Sequence, residues 1–246
     1  MKTPALRLPK SWADLTDKEL RFIYSALDVA QDQMTLKVMF FFHVNNMVLY
    51  GESEGLYTVL WGRHIRYIPC DEMRLAILSL RWMDTPPSSP VVPRKISGKK
   101  TPDPRLRELP FGEWLAVDNL FSGFLATQRD DLLMQAAAII LKKKKLRKFS
   151  KADSYAVFFW IFAVKTSLSR EFPTLFPEAE TDEAMKSPAM IMKAAKESTN
   201  GMLRALTRAD ITKEDAVMKV PMYRAFAELE ALSKEAEELK RQEKSK

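Results

Sequence analysis

The sequence predicts an α+β fold that is mainly α-helical, a helical bundle with a small antiparallel β-meander in its N-terminal part. Three observations predict it. Tyr155 to Val164 is a run of ten consecutive apolar residues that includes Phe158, Phe159, Trp160 and Phe162. A helix apolar on every side must be covered on every side, because each exposed face forgoes roughly 25 cal/mol per Å² of burial. Spanning a membrane takes ~20 such residues, so this stretch is expected to be the wrapped central helix. Second, seven glycines in 246 residues argue against a sheet-rich fold, while the abundant Leu, Ala, Lys, Glu and Met favour helices. Third, Met47 to Tyr50, Tyr57 to Trp61 and His64 to Ile68 are short β-rich runs bounded by glycine-bearing segments.

Taken in order, Thr16 with Glu19 three residues on reads as a capping box, opening a helix from Asp17 to about Ala30. Met34 to Val44 reads as a second helix. The three β-rich runs follow as a meander, with Gly51 to Gly55 as the first connection and Gly62-Arg63 as a tight hairpin turn. Asp71 then caps a helix that passes Leu75, Leu78 and Trp82 and stops at Pro86-Pro87. Residues 84–110 hold seven prolines and few large apolar groups, which predicts a connector without regular structure. Beyond it the pattern is helical: Phe111 to Thr127, Asp130 to about Lys144, the central stretch out to Leu168 with Ser150 and Asp153 as candidate caps, a loop over 173–187, and a helix from Pro188 to about Leu206. The predicted organisation is an N-terminal helical lobe with the meander over 1–83, the Pro-rich connector over 84–110, and a C-terminal helical lobe with a charged terminal helix over 111–246.

Chemistry is sparse in the sequence. The single Cys70 cannot form an internal disulfide, which suits a reducing, cytoplasmic setting, and Met1 to Leu15 holds no apolar run of signal-peptide length. His43 and His64 belong to no zinc-type spacing, and neither a phosphate-binding glycine loop nor a nucleophile elbow occurs. Asp130-Asp131 are helix neighbours pointing about 100° apart, so they cannot jointly grip one metal or proton, and Asp130 reads as a cap. The expectation is a protein that is not an enzyme, with no catalytic residues, metal or cofactor.

Charge is concentrated. Lys142, Lys143, Lys144, Lys145, Arg147, Lys148 and Lys151 supply seven positive charges within ten residues, leaving 32 basic and 32 acidic residues elsewhere. Four consecutive lysines cover the whole circumference of a helix, so they belong where it protrudes or ends. They favour the negative end of the helix dipole, and they also form a candidate anion-binding site for nucleic acid, an acidic protein face or lipid headgroups. At the C-terminus, Met222, Ala225, Leu229, Leu232, Ala236 and Leu239 step by three and four, a short heptad seam with a charged opposite face. Leu229, Leu232, Ala236 and Leu239 are therefore the candidate partner-binding residues, for a helical partner or a second copy.

Three patches carry a resemblance. They are Leu8-Pro9-Lys10-Ser11-Trp12-Ala13-Asp14-Leu15-Thr16, then Asp118-Asn119-Leu120-Phe121 with Thr127-Gln128-Arg129-Asp130-Asp131-Leu132-Leu133, then Ala205 to Glu214 followed by Tyr223-Arg224-Ala225-Phe226-Ala227-Glu228-Leu229. Together they resemble uncharacterised proteins that prophages and phage-derived clusters carry among their tail genes. The last patch is similar to proteins encoded near the tape-measure gene, where helical tail-assembly chaperones are expected. The resemblance implies a non-enzymatic phage or prophage tail assembly or structural protein acting through protein–protein contacts, with other tail proteins and a long helical tape-measure protein as partners. Its setting would be the bacterial host cytoplasm or a phage-derived particle. The alternative is a nucleic-acid-binding accessory protein that uses the 142–151 segment.

Overall fold

The computed structural model describes residues 6–176 and 187–244. The fold is α+β and mainly helical, with a three-stranded antiparallel sheet in the N-terminal part. The chain divides into two units. One holds the described residues up to Pro87 together with Val91–Arg94 and Ser150–Ala156; the other holds Ser88–Pro90, Lys95–Phe149 and the described residues from Val157 onward. The division thus departs from a simple cut across the Pro-rich segment.

In the first unit, α1 (Asp17–Ala26) starts at the predicted capping box. The Thr16 hydroxyl accepts from the Glu19 N–H at 3.3 Å, and the Glu19 carboxylate accepts from the Thr16 N–H at 2.7 Å. The Arg7 guanidinium also binds that carboxylate, at 2.9 Å through Nη2, and holds its pKa down to about 2 against the opposing cost of burial. α2 (Gln33–Val44) starts at Asp32, whose side chain accepts from the Thr35 N–H at 2.7 Å. Then come β1 (Met47–Ser53), β2 (Leu56–Trp61) and β3 (His64–Pro69), paired antiparallel in chain order. Ile23, Phe40, Phe41, Val59, Met73 and Leu80 form the buried core. Two tryptophans tie the edge of this unit: Trp12 donates to the Thr85 carbonyl at 2.8 Å and Trp82 to the Pro9 carbonyl at 2.7 Å.

The first connection of the sheet differs from expectation. β1 runs on through Gly51, Glu52 and Ser53, so the turn is only Glu54-Gly55, both at positive φ, the pattern of a type I′ hairpin. A bulge between Leu49 and Gly51 leaves Tyr50 as the extra residue. The second connection is the predicted Gly62-Arg63 turn, with Gly62 at φ +64°. α1 ends at Ala26, four residues before its expected end. α3 (Cys70–Leu78) starts after Pro69, so Asp71 lies in its first turn without capping it, and a 3-10 segment continues to Asp84.

In the second unit, β4 (Lys95–Ile96) and β5 (Lys99–Lys100) form a small hairpin inside the segment expected to lack regular structure, and Ile96 is fully buried. One well-placed isoleucine supplies the anchor that the proline count hides. α4 (Phe111–Thr127) and α5 (Asp130–Ile140) follow; the latter has Arg129 at its N-cap, so Asp130 sits in the first turn and does not cap. α6 (Lys151–Glu171), which belongs to the first unit up to Ala156 and to the second from Val157, opens on the Asp153 N–H bonded to the Ser150 hydroxyl at 3.2 Å. α7 (Pro188–Thr207) has Ser187 as its N-cap and Pro188 in the first position, then come α8 (Glu214–Met218) and α9 (Met222–Lys244). The loop expected over 173–187 lies partly outside the described residues.

Nine of the ten side chains from Tyr155 to Val164 are buried or half-buried, and the Trp160 indole N–H reaches the Pro104 carbonyl at 2.5 Å. Phe162 is the exception. It is 43% exposed and lines a cleft.

Candidate interaction surfaces

The basic run does not continue a helix. α5 ends at Ile140, and the chain turns through Lys142 at φ +53°. The Lys142 N–H bonds the Ile139 carbonyl at 3.0 Å and the Lys143 N–H bonds the Ala138 carbonyl at 2.8 Å, the paired bonds of a Schellman cap. Lysine stands where glycine is the usual choice. Lys142, Lys143, Lys144, Lys145, Arg147 and Lys148 are exposed in the loop that follows, and buried Leu146 pins it. Lys142 is ion-paired with Glu113.

Lys99 and Lys100 belong to the Pro-rich segment expected to lack regular structure. The structure brings them to the basic loop, because the Ser97 hydroxyl donates to the Lys148 carbonyl and Lys100 lines the same shallow cleft as Lys142. Lys95 and Lys100 are direct cross-strand partners, a like-charge pairing that costs stability. This surface therefore gathers Lys95, Lys99 and Lys100 with the loop cations. Lys151 belongs to the other unit, on the first turn of α6, with its ammonium 5.7 Å from the Tyr155 ring.

The heptad seam of α9 divides in two. Leu229 is buried, as are Met222, Ala225 and Phe226, and Phe226 packs against Phe111, Phe172 and Phe176 with ring centres 5.4 to 6.0 Å apart. Leu229 is thus spent inside its own unit and does not serve a partner. Leu232 is half-buried, while Ala236 and Leu239 are exposed, Leu239 by 61%. A heptad period cannot distinguish a seam facing its own core from one facing another chain.

A further surface was not read from the sequence: the outer face of the sheet. Residues paired directly across the strands share a face. Met47, Val59, Tyr57, Trp61 and Ile68 point inward to the core. The opposite face carries Val48, Leu60 and Ile65 in one row, Thr58 and Tyr67 in the next, and Leu56 and Pro69 at the end. Val48 is 56% exposed, Ile65 60% and Tyr67 68%, where an ordinary half-buried sheet would alternate to polar residues. The signal was present in the sequence, since the strand runs are apolar at successive positions instead of at alternate ones.

Between α4, α6 and α7 lies a cleft of about 660 Å³, lined by Trp114, Phe121, Phe162, Ile191, Met202 and Phe226. Its one acid–base pair is Lys165 with Asp118, and an ammonium already engaged by a carboxylate offers no lone pair for attack. His43 stacks on Phe22 at 3.7 Å, its pKa pushed down by partial burial and by Lys18, and His64 stands exposed on β3. Burial, then Glu52, pushes the Cys70 thiol up, away from the thiolate form. Among the described residues no three His, Cys, Asp or Glu side chains gather to hold a metal ion, and no helix is long and apolar enough to cross a membrane. In comparison with known proteins, no family model matches the chain, and no curated protein or solved structure matches it either.

Proposed function

We propose that the protein works by contact with other proteins, without catalysis, as an assembly or structural protein of the phage-tail kind, in the bacterial cytoplasm or in a phage-derived particle. The observation that carries this reading is the outer face of the β1–β3 sheet. Its contiguous aliphatic and aromatic side chains are of the type that soluble proteins keep covered unless a partner covers them. The outer end of the α9 seam, exposed Ala236 and Leu239 with half-buried Leu232, offers a second contact strip, suited to a long helical partner. The test is titration of the full chain against the purified tape-measure and tail-tube proteins of its own gene cluster. A complex that survives high salt is expected, since apolar contact is not screened. Failure to bind either protein overturns the tail assignment.

A second reading, a nucleic-acid-binding accessory protein, is favoured by the convergence of Lys95, Lys99 and Lys100 on the 142–148 loop. Binding to generic duplex DNA over a salt series separates the two. Tight binding at physiological ionic strength that falls steeply with salt puts the second reading ahead, because each phosphate contact releases counterions.

A further inference from the structure

We infer that the outer face of the β1–β3 sheet is where a second copy of this chain docks, the two sheets lying face to face with strands antiparallel, so that the acidic end of each meets the basic end of the other. The inference rests on the reading of this face as a protein contact, and it names the occupant.

The two turns of the meander lie at opposite ends of the sheet, and they differ in sign. At one end is Glu54 in the turn, joined by Asp71 and Glu72 because Pro69 pairs with Leu56 and the Cys70 N–H bonds the Gly55 carbonyl at 2.9 Å; Glu52, paired with Tyr57, lies on the inner face, and Arg74 is the one cation that follows on α3. At the other end is Arg63, in the Gly62-Arg63 turn; His64, paired with Trp61, lies on the inner face. Glu54, Asp71, Glu72 and Arg63 are all exposed. A face with an apolar middle and ends of opposite sign is its own complement once turned end for end. A two-fold axis in the sheet plane and across the strands does this, laying Thr58, midway along β2, near Thr58 of the second copy and Glu54 near its Arg63. The other in-plane axis, along the strands, would bring three carboxylates against three and is disfavoured. Sheets packed face to face with aligned strands are a standard arrangement, and a two-fold interface uses the same patch on both chains.

The test is sedimentation equilibrium of the full chain over a dilution series. The expected mass is two chains for the natural sequence and one for Ile65→Asp/Tyr67→Asp, with unchanged circular dichroism. Orientation is read by charge exchange. Arg63→Glu should weaken the pair roughly ten-fold, and adding Glu54→Arg should restore it, because two reversed rim contacts are worth about 1 to 2 kcal/mol. In a Cys70→Ser background, Thr58→Cys should oxidise to a covalent dimer. A natural chain that stays single at every concentration overturns the inference, as does a dimer indifferent to the Ile65→Asp/Tyr67→Asp change. A dimer without charge rescue or a Thr58 crosslink overturns the antiparallel arrangement. If the chain is single yet binds tail proteins, the functional reading stands and this inference falls; if it pairs but binds no tail protein, the reverse holds.

Discussion

The central helix α6 and the outer face of the sheet are built from similar side chains and meet opposite fates. In α6, Trp160, Ile161 and Val164 are sealed by neighbouring elements, whereas Val48, Ile65 and Tyr67 face outward. Composition states how much apolar area a segment owns; only topology states who covers it. A helix in a bundle can have neighbours all round its axis. A three-stranded sheet with its helices gathered on one side has a face left over.

The strongest way to break this comparison is Trp160→Ala. It should destabilise the fold by about 3 to 5 kcal/mol, since it removes a fully buried ring and strands the Pro104 carbonyl. Chemical denaturation measures it, and a loss of less than about 1 kcal/mol would mean that α6 is not the sealed element described. A sharper contrast lies within one strand. Ile68→Ala on the inner face should cost about 2 kcal/mol or more, while Ile65→Ala on the outer face should change stability by no more than about 0.5 kcal/mol, measured at dilutions where the chain is single. Equal costs would show that both faces of the sheet are covered.

The smallest effect is polar. Glu19, with its carboxyl at about 2 in the folded chain against an ordinary 4.5, contributes stability that is complete above about pH 4.5 and is lost as pH falls toward 2. Because Arg7 is partly exposed, the contribution is about 1 to 2 kcal/mol, so Glu19→Gln should lower neutral-pH stability by that amount and flatten the acid limb of a melting curve. An unchanged acid limb would mean that the first unit is held by its apolar inner face alone.

Local chemistry was legible in the sequence wherever short-range rules decide it. The Thr16–Glu19 capping box, the Gly62-Arg63 turn and Pro188 at the start of α7 are settled by residues within one turn. What needed distant partners was not legible. Nothing around Lys99 announces the Lys148 carbonyl fifty residues away, and nothing in the α9 period tells that Leu229 packs inward while Leu239 stays outside. The end of α5 was hidden for another reason. A lysine in the left-handed region gives no glycine to mark the stop, so the sequence pattern continues to about Lys144 while the helix ends at Ile140.

The Tyr50 bulge has a consequence for how large an assembly can become. An endless β-ladder needs two straight edges, and on β1 the row of backbone donors and acceptors is broken at Leu49–Gly51. Spoiling one edge is enough to stop strand-by-strand growth into a fibre. Copies that meet through a two-fold face exhaust that face at a pair, so contact of that kind adds no third chain.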